Sequence, residues 1–192
     1  MKNQIVLGLD PGSRTTGFAL VEFTATTRNV LICDVIKLDK IPEHQDRLKE
    51  LFEHIQQLIE VYKPTTAAVE TPVYGKDPLA MLKLGRAQAA CILAPKLAGL
   101  TITEYYPKSV KKAITGNGNA TKEQVARMLE HMTNLDFTKI KLDATDALSV
   151  AFAHYLSLNH PLNAQFPKKK SHQNRSVSSW EDFVKQNPSR IK

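Results

Sequence analysis

Residues 4–17, QIVLGLDPGSRTTG, carry the strongest evidence in the sequence for its fold. Residues 4–9 form an apolar run of strand length, and residues 16–23 supply a second run that pairs with the first as a hairpin. Between the two runs, Asp10 ends the first strand and a Pro-Gly pair follows it. An acid before Pro and Gly is common turn chemistry, so this segment alone favours a structural role over a phosphate-contacting loop.

Outward from this hairpin, the pattern predicts an α/β domain with a mixed five-stranded sheet. A third β-rich run precedes any helix, and apolar residues at spacings of three and four then mark the first helix. The predicted order is βββαβαβααα, with helices packed on the faces of the sheet. The predicted strands cover residues 4–9, 16–23, 29–36, 65–70 and 100–105, and the predicted helices cover residues 43–62, 78–97, 108–114, 121–132 and 143–158.

Length and charge predict one domain with a basic tail. The chain has 192 residues and a formal net charge of +7. We assign residues 1–160 to the domain and residues 161–192 to a tail, which holds seven Lys and Arg against two acids. The tail is too polar to pack a core, so it is predicted to be a flexible linker that ends in a short apolar hook. Such a charge balance favours nucleic acid as the partner.

Cysteine usage and hydropathy exclude several classes of protein. Cys33 and Cys91 are far apart and each lies inside an apolar run, which favours two small buried hydrophobes over a disulfide or a zinc site. The chain has no apolar run of membrane-spanning length and no leader of the secretory kind. We therefore expect a cytoplasmic protein with no membrane partner.

Four acids stand at the boundaries of predicted elements. Asp10 and Glu70 each close a strand, while Asp143 and Asp146 open the last helix, where a spacing of three puts both on one face. Taken singly, each fits a turn, a surface carboxylate or a helix-capping residue. Carboxylates that lie close together repel one another unless a cation sits among them. The set therefore predicts a metal site, and in a basic protein a metal site points to a phosphate substrate.

The same residues carry a resemblance to a known family. The chain resembles the RuvC family of bacterial crossover junction endodeoxyribonucleases, members of the RNase H-like nuclease superfamily, over residues 4–158. The match rests on five ordered blocks, which are residues 8–12 with 16–17, residues 69–70, residues 75–78 with 82–85, residues 111–122 around the Gly116 turn, and residues 143–147.

The resemblance implies a homodimer that resolves four-way (Holliday) DNA junctions in recombination and repair. Each active site would nick one of two opposed strands, using two Mg²⁺ ions for which Mn²⁺ can substitute. Asp10 would bridge the two metals, Glu70 and Asp143 would each hold one side, and Asp146 would complete the half carried by the helix. The resemblance also implies a branch-migration helicase complex as a partner.

The resemblance further implies a set of DNA-binding residues. Lys111 and Lys122 match positions that present basic residues to the DNA backbone, and Lys76 of the Gly-Lys pair is a further expected DNA contact. The family usually has two aromatic residues before that pair, whereas this chain has Val73 and Tyr74. Tyr74 is expected to stack on an unpaired base, with packing in the core as the alternative.

Two further interpretations stay open from the sequence. The long helix that begins at Pro78 resembles the dimerisation element of the family, although its small residues also suit a contact within one subunit. For the chain as a whole, the alternatives are a non-catalytic junction-binding protein on the same fold and a fragment of an actin-like ATPase. The ATPases need a second domain to close over the nucleotide, and the chain is short for that.

Overall fold

A computed structural model of the chain describes residues 3–73, 75, 77–133, 135, 137 and 140–159. The ten predicted elements are present in the predicted order, and no observed end differs from the predicted one by more than one residue. The strands are β1 (Gln4–Asp10), β2 (Thr15–Phe23), β3 (Arg28–Lys37), β4 (Thr66–Glu70) and β5 (Thr101–Tyr105). The helices are α1 (His44–Tyr62), α2 (Pro78–Leu97), α3 (Pro107–Thr115), α4 (Lys122–Thr133) and α5 (Leu142–Asn159).

The five strands form one mixed sheet in the order β3-β2-β1-β4-β5. β1, β2 and β3 are antiparallel neighbours, while β1, β4 and β5 run parallel. Leu9 pairs with Val69 in the register of β1 and β4. The carboxyl ends of these two strands therefore meet at one edge of the sheet. Asp10, which follows Leu9, and Glu70, which follows Val69, both lie at that edge.

The two faces of the sheet carry separate cores because side chains alternate along each strand. On β1, Val6 packs in the core beneath α3, α4 and α5, whereas Leu7 and Leu9 pack in the core beneath α1 and α2. α1 buries Leu51 and Ile55 completely against its side of the sheet. The confirmed fold is thus a sheet between two helical layers, as the hydrophobic pattern predicted.

Helix α5 is the most deeply buried helix of the described residues. Ten of its eighteen residues are buried, and its apolar residues do not favour one side. It lies across β1 and β2 and is flanked by α3 and α4. Phe23 of β2 stacks on Tyr155 and meets Phe152 edge to face, with ring centroids 3.9 and 5.1 Å apart. Burial on several sides explains why this helix is apolar almost all round.

A buried polar network holds the carboxyl end of α5 against the parallel edge of the sheet. The His154 ring is within hydrogen-bonding distance of the Tyr105 hydroxyl at Nδ1 (2.9 Å) and of Thr66 Oγ1 at Nε2 (3.2 Å). Thr66 gives its one hydroxyl hydrogen to the Thr101 carbonyl, so it accepts from His154 Nε2–H and leaves Nδ1 to accept from Tyr105. Ser157 Oγ lies 2.6 Å from the Tyr105 hydroxyl and completes the network.

Side chains cap the starts of two helices. The Asp77 carboxylate accepts hydrogen bonds from the backbone N–H groups of Leu79 and Ala80 at the start of α2. Before α4, the Gln124 side chain accepts from Thr121 N–H at 2.9 Å, and Thr121 Oγ1 accepts from Gln124 N–H at 3.3 Å. This reciprocal pair is a capping box, and it fixes where α4 begins.

The predictions about the cysteines and about membrane-spanning segments concern residues that the structure describes, whereas the prediction about the tail does not. Cys33 and Cys91 are both free thiols, the second of them fully buried. Within the described ranges, no helix combines the length and apolar character that crossing a lipid bilayer requires. The predicted tail, residues 161–192, lies outside the described residues, so its boundary, its linker and its hook stay predictions.

Candidate active site

Three elements deliver the four predicted acids to one edge of the sheet. Asp10 is the last residue of β1 and Glu70 the last residue of β4. Alternation along the strands turns both side chains toward the face that α5 covers, since Val6 and Ala68 lie on that face. α5 begins at this edge and carries Asp143 and Asp146 in its first two turns.

Three of these carboxylates form a tight group. Asp10, Asp143 and Asp146 each offer one oxygen, and the three oxygens all lie within 4.8 Å of one another. Asp10 and Asp146 are half-buried and Asp143 is exposed, so the group opens to solvent on one side. Glu70 is not a member of this group, although the charges of Asp10 and Asp146 help to raise its pKa. The arrangement can hold a metal ion with carboxylate oxygens alone.

Burial and mutual repulsion shift the titration of the strand-borne acids. The pKa of Asp10 is raised from 3.8 to about 7, chiefly by burial and then by the Asp146 and Asp143 carboxylates. The pKa of Glu70 is raised from 4.5 to about 8, first by burial and then by Asp10 and Asp146. A buried carboxyl whose pKa is raised further by neighbouring carboxylates lies in a site short of positive charge, which is the electrostatic condition that favours a bound cation.

Lys122 supplies part of that positive charge. Its ammonium donates a hydrogen bond to the Asp146 carboxylate from the first residue of α4. This hydrogen bond is the main reason that the pKa of Lys122 is raised, with further contributions from the charges of Asp146, Asp10 and Glu70. The sequence predicted Lys122 as a DNA contact and did not indicate this ion pair, because the two residues are 24 positions apart and on different helices.

The other predicted DNA-binding residues have different placements. Lys111 lies half-buried on α3, near enough to the site for its charge to lower the pKa of Glu70 against the larger effects that raise it. Tyr74 and Lys76 lie outside the described residues, so their roles in stacking and backbone contact stay predictions.

The buried Thr16 closes the turn after Asp10, a role that the sequence did not indicate. Thr16 has no exposed surface, and its Oγ1 accepts from Gly12 N–H at 3.2 Å and donates to the Gly12 carbonyl at 3.0 Å. A Cβ at Gly12 would lie 1.8 Å from the Thr15 carbonyl oxygen, so the turn requires glycine there. Among the two interpretations of this loop, its hydrogen bonding favours the structural one: it holds Asp10 in place.

The sheet order, the acids at the ends of β1 and β4, and the last helix beside them define an RNase H-like nuclease. Residues 6–154 match the family model described as "Crossover junction endodeoxyribonuclease RuvC". The chain belongs to the RuvC family. It is 40% identical to the RuvC of Christiangramia forsetii over 189 residues, which cover 98% of this chain and 93% of that protein. It is 38% identical to the RuvC of Bacteroides fragilis over 196 residues, which cover 100% and 98%.

A solved structure shares the architecture. The structure described as "T. thermophilus RuvC in complex with Holliday junction substrate" superposes with a TM-score of 0.75 and 27% sequence identity. The superposition covers 81% of this chain and 94% of the Thermus thermophilus chain. The predicted fold class and the resemblance to the RuvC family are therefore confirmed.

Proposed function

We propose that this chain resolves four-way DNA junctions by nicking two opposed strands, with Asp10, Glu70, Asp143 and Asp146 as its metal-binding acids. Membership of the RuvC family supports the reaction class. The observation that carries the assignment of the site is the group of three carboxylates within 4.8 Å at the edge of the sheet. No His or Cys is needed, because an all-oxygen set is what Mg²⁺ prefers.

The donor set fits Mg²⁺ on chemical grounds. The acids come from two rigid strands and one buried helix, so their oxygens converge without the metal having to order a loop. Bound Mg²⁺ would supply charge neutralisation at the scissile phosphate and a lowered pKa for the attacking water. In the metal-free protein, Asp10 and Glu70 are both partly protonated near neutral pH, since their pKa values are raised to about 7 and about 8. They must release those protons to act as ligands.

The lysines beside the site have a role that does not depend on the metal. Lys122 neutralises Asp146, and Lys111 adds positive charge on the side of Glu70. Without these two charges the cluster would repel the phosphate backbone of any DNA that approached it. We assign both lysines to holding the backbone against the acids, with Tyr74 and Lys76 as further DNA contacts on the sequence argument alone.

The exposed surface of α2 supports the homodimer. Four of its leucines are more than half exposed, and a shallow apolar groove runs between α1 and α2. Exposed leucines in a row along one helix mark a surface that association would bury. We propose a second copy of this chain as the occupant. The exposed leucines are Leu79, Leu82, Leu93 and Leu97, with exposed fractions of 70%, 52%, 52% and 73%.

Light scattering on size-exclusion fractions tests the dimer. Leu93→Glu should shift the protein to the mass of one chain, because a charge would be buried at the centre of the interface. Leu158→Glu is the matched control, since Leu158 is 56% exposed on α5 and should tolerate the same change. A mass of one chain for the unmodified protein would refute the dimer. The predicted helicase partner has no support from the described residues and stays a prediction.

Cleavage of a synthetic junction tests the function. Purified protein is incubated with a labelled four-way junction or a matching linear duplex, with Mg²⁺ or with chelator, and the strands are resolved on a denaturing gel. We expect paired symmetric nicks in the junction alone, and only with metal. Asp10→Asn should abolish the nicks while junction binding persists, whereas Asp46→Asn, an exposed acid on α1, should cut like the unmodified protein. Junction binding without any cutting would favour the non-catalytic alternative.

A further inference from the structure

Two glycines let the backbone of α5 approach the sheet more closely than any side chain would permit. A Cβ at Gly17 on β2 would lie 1.9 Å from the Asp143 carbonyl oxygen and 2.6 Å from the Asp143 carbonyl carbon. A Cβ at Gly8 on β1 would lie 2.3 Å from the Ala147 carbonyl oxygen and 2.9 Å from the Cβ of Ala151. Ordinary van der Waals contact for such an atom begins at 3.4 Å. The helix and the two strands are therefore in direct backbone contact.

Space, and not backbone conformation, is the reason for glycine at position 17. Among the described residues, the glycines with positive φ are Gly99 and Gly116. Gly17 lies inside a regular strand whose φ any residue can adopt. A larger residue would instead clash with the backbone of α5.

Gly17 also occupies a particular place relative to the acids. In the antiparallel register of β1 and β2, it is the direct partner of Asp10. Directly opposed residues project to the same face of a sheet, so the missing side chain of Gly17 would stand beside the Asp10 carboxylate. The atoms that fill this space belong to Asp143. Gly17 is therefore next to Asp10 on β1 and next to Asp143 on α5.

We propose that Gly17 is a positioning residue that sets the distance between Asp10 and the Asp143/Asp146 pair. This inference rests on the metal site proposed above. The first turn of α5 is tied to β3 by the Asp34–Lys141 ion pair and by the Cys33 thiol, which donates to the Ala144 carbonyl at 3.3 Å. A methyl group at position 17 would have to push that turn away from β2 by about 1.5 Å to reach ordinary contact.

Such a displacement would move the acids of α5 relative to Asp10. Ligand oxygens from three elements must reach one ion together, and a misplacement of about 1 Å is enough to lower a rate by about a hundredfold. Gly17→Ala should therefore weaken the binding of Mn²⁺ by about tenfold or more and slow junction cutting by about a hundredfold. Junction binding in chelator should change less than metal binding, because Lys111 and Lys122 are carried by α3 and α4 and not by α5 itself.

The experiment is a titration of Mn²⁺ without DNA, in which the free ion is followed by its electron paramagnetic resonance signal. The full-length protein is compared with Gly17→Ala, with Asp10→Asn and with Ile55→Ala. Ile55 is fully buried on the opposite face of the sheet, so its truncation destabilises the protein without touching α5. Thermal melting in chelator confirms that each variant is folded at the temperature of the titration.

Each outcome separates this inference from the proposed site. Weaker Mn²⁺ binding by Gly17→Ala than by Ile55→Ala supports the positioning role. Equal affinity of Gly17→Ala and the unmodified protein overturns it, while loss of binding by Asp10→Asn alone would leave the metal site standing. An unmodified protein that binds no Mn²⁺, or an Asp10→Asn variant that binds it normally, refutes the site itself.

A second variant keeps the test valid if Gly17→Ala does not fold. Gly8→Ala pushes the same helix at Ala147, one residue beyond Asp146. It should weaken Mn²⁺ binding in the same direction by a smaller factor of about threefold to tenfold, because the displacement pivots farther from Asp143. Unchanged affinity in folded Gly8→Ala would then overturn the inference.

Discussion

The two ends of α5 are built in opposite ways. At its start, Asp143 and Asp146 lie close to Asp10, where burial and the charges of these two acids raise the pKa of Asp10 and Lys122 offsets that effect in part. At its end, His154 and its neighbours form a network in which each ring nitrogen has a partner. One helix therefore carries a group of repelling charges at its start. At its end it carries a buried His154 network, called the anchor below, in which both ring nitrogens are hydrogen-bonded to the sheet.

This contrast shows how one helix can carry a group of repelling charges and also help to stabilise the fold. Carboxylates that repel one another lower the stability of the protein when no cation is bound, and such a loss of stability is common at functional sites. The anchor offsets that cost about three turns away along the same rigid helix, where it does not interfere with the acids. Four predictions test this contrast, beginning with the anchor.

Removal of the anchoring ring should have the largest effect on stability. His154→Ala leaves a cavity and strips partners from the Tyr105 hydroxyl and from Thr66, so the free energy of unfolding should fall by about 3 kcal/mol. Urea unfolding followed by circular dichroism measures the change. Ser157→Ala is the matched control, since it removes a single partner of Tyr105 and should cost about 1 kcal/mol. Equal losses for the two variants would show that the ring is not the centre of the anchor.

Low pH should weaken the contribution of the His154 network to stability. Burial lowers the pKa of His154 from 6.5 to about 4, so between these values the unfolded chain binds a proton that the folded protein does not. Stability conferred by neutral His154 is therefore complete above pH 6.5 and is lost as the pH falls toward 4, by up to about 3 kcal/mol. His154→Gln lacks this titration. Subtracting its stability curve from that of the unmodified protein should leave this slope, and a flat difference would contradict the assignment.

Neutralising an acid at the other end should stabilise the metal-free protein. Asp10 has a raised pKa, so the unfolded chain loses this proton at lower pH than the folded protein and stability falls as the pH rises from 4 toward 7. Asp10→Asn removes that penalty. In chelator at pH 8.5 it should gain about 2 kcal/mol, after allowance for solvent screening, and the gain should vanish toward pH 4.

Urea unfolding at the two pH values measures this gain, and Asp46→Asn serves as the control on α1. A destabilised Asp10→Asn protein at pH 8.5 would mean that the acid group is not a source of strain. The variant that should be unable to cut is thus also the one expected to unfold least readily.

The smallest expected effect concerns the surface support at the start of α5. Lys141 and Asp34 form an ion pair at 2.7 Å, and both side chains are about half exposed. Solvent screens such pairs, so Lys141→Ala should cost about 0.5 kcal/mol in low salt and less in 0.5 M NaCl. Lys49→Ala, which breaks the exposed pair with Glu53, is the control on α1. A loss above about 1.5 kcal/mol would show that this pair shares the anchoring role.

The fold could be predicted because its signals are local. Alternation along β1, helical spacing along α1, and the capping box at Thr121 and Gln124 each depend on residues within one element. The convergence of Asp10 and Glu70 followed from a single topological rule, since neighbouring parallel strands end at the same edge. These signals need no knowledge of how a helix lies on the sheet.

The missing parts of the site depend on tertiary placement. The pair of Lys122 with Asp146, the contact of Gly17 with Asp143, and the network around His154 all join residues far apart in sequence. Each depends on where α5 crosses the sheet and how closely it approaches, which packing volume decides. A lone glycine in a strand or a lone histidine in an apolar helix carries no periodic signal that would reveal such a contact.

The shielding of the two cysteines has a practical consequence for labelling. The Cys33 thiol has its pKa raised to about 12 by burial and by Asp34, and burial likewise raises the pKa of Cys91. Maleimide dyes react with the thiolate, which neither residue forms near neutral pH. A new cysteine at an exposed position such as Glu60 would therefore take the dye alone. Fluorescence could then follow DNA engagement in a chain that keeps both of its native cysteines.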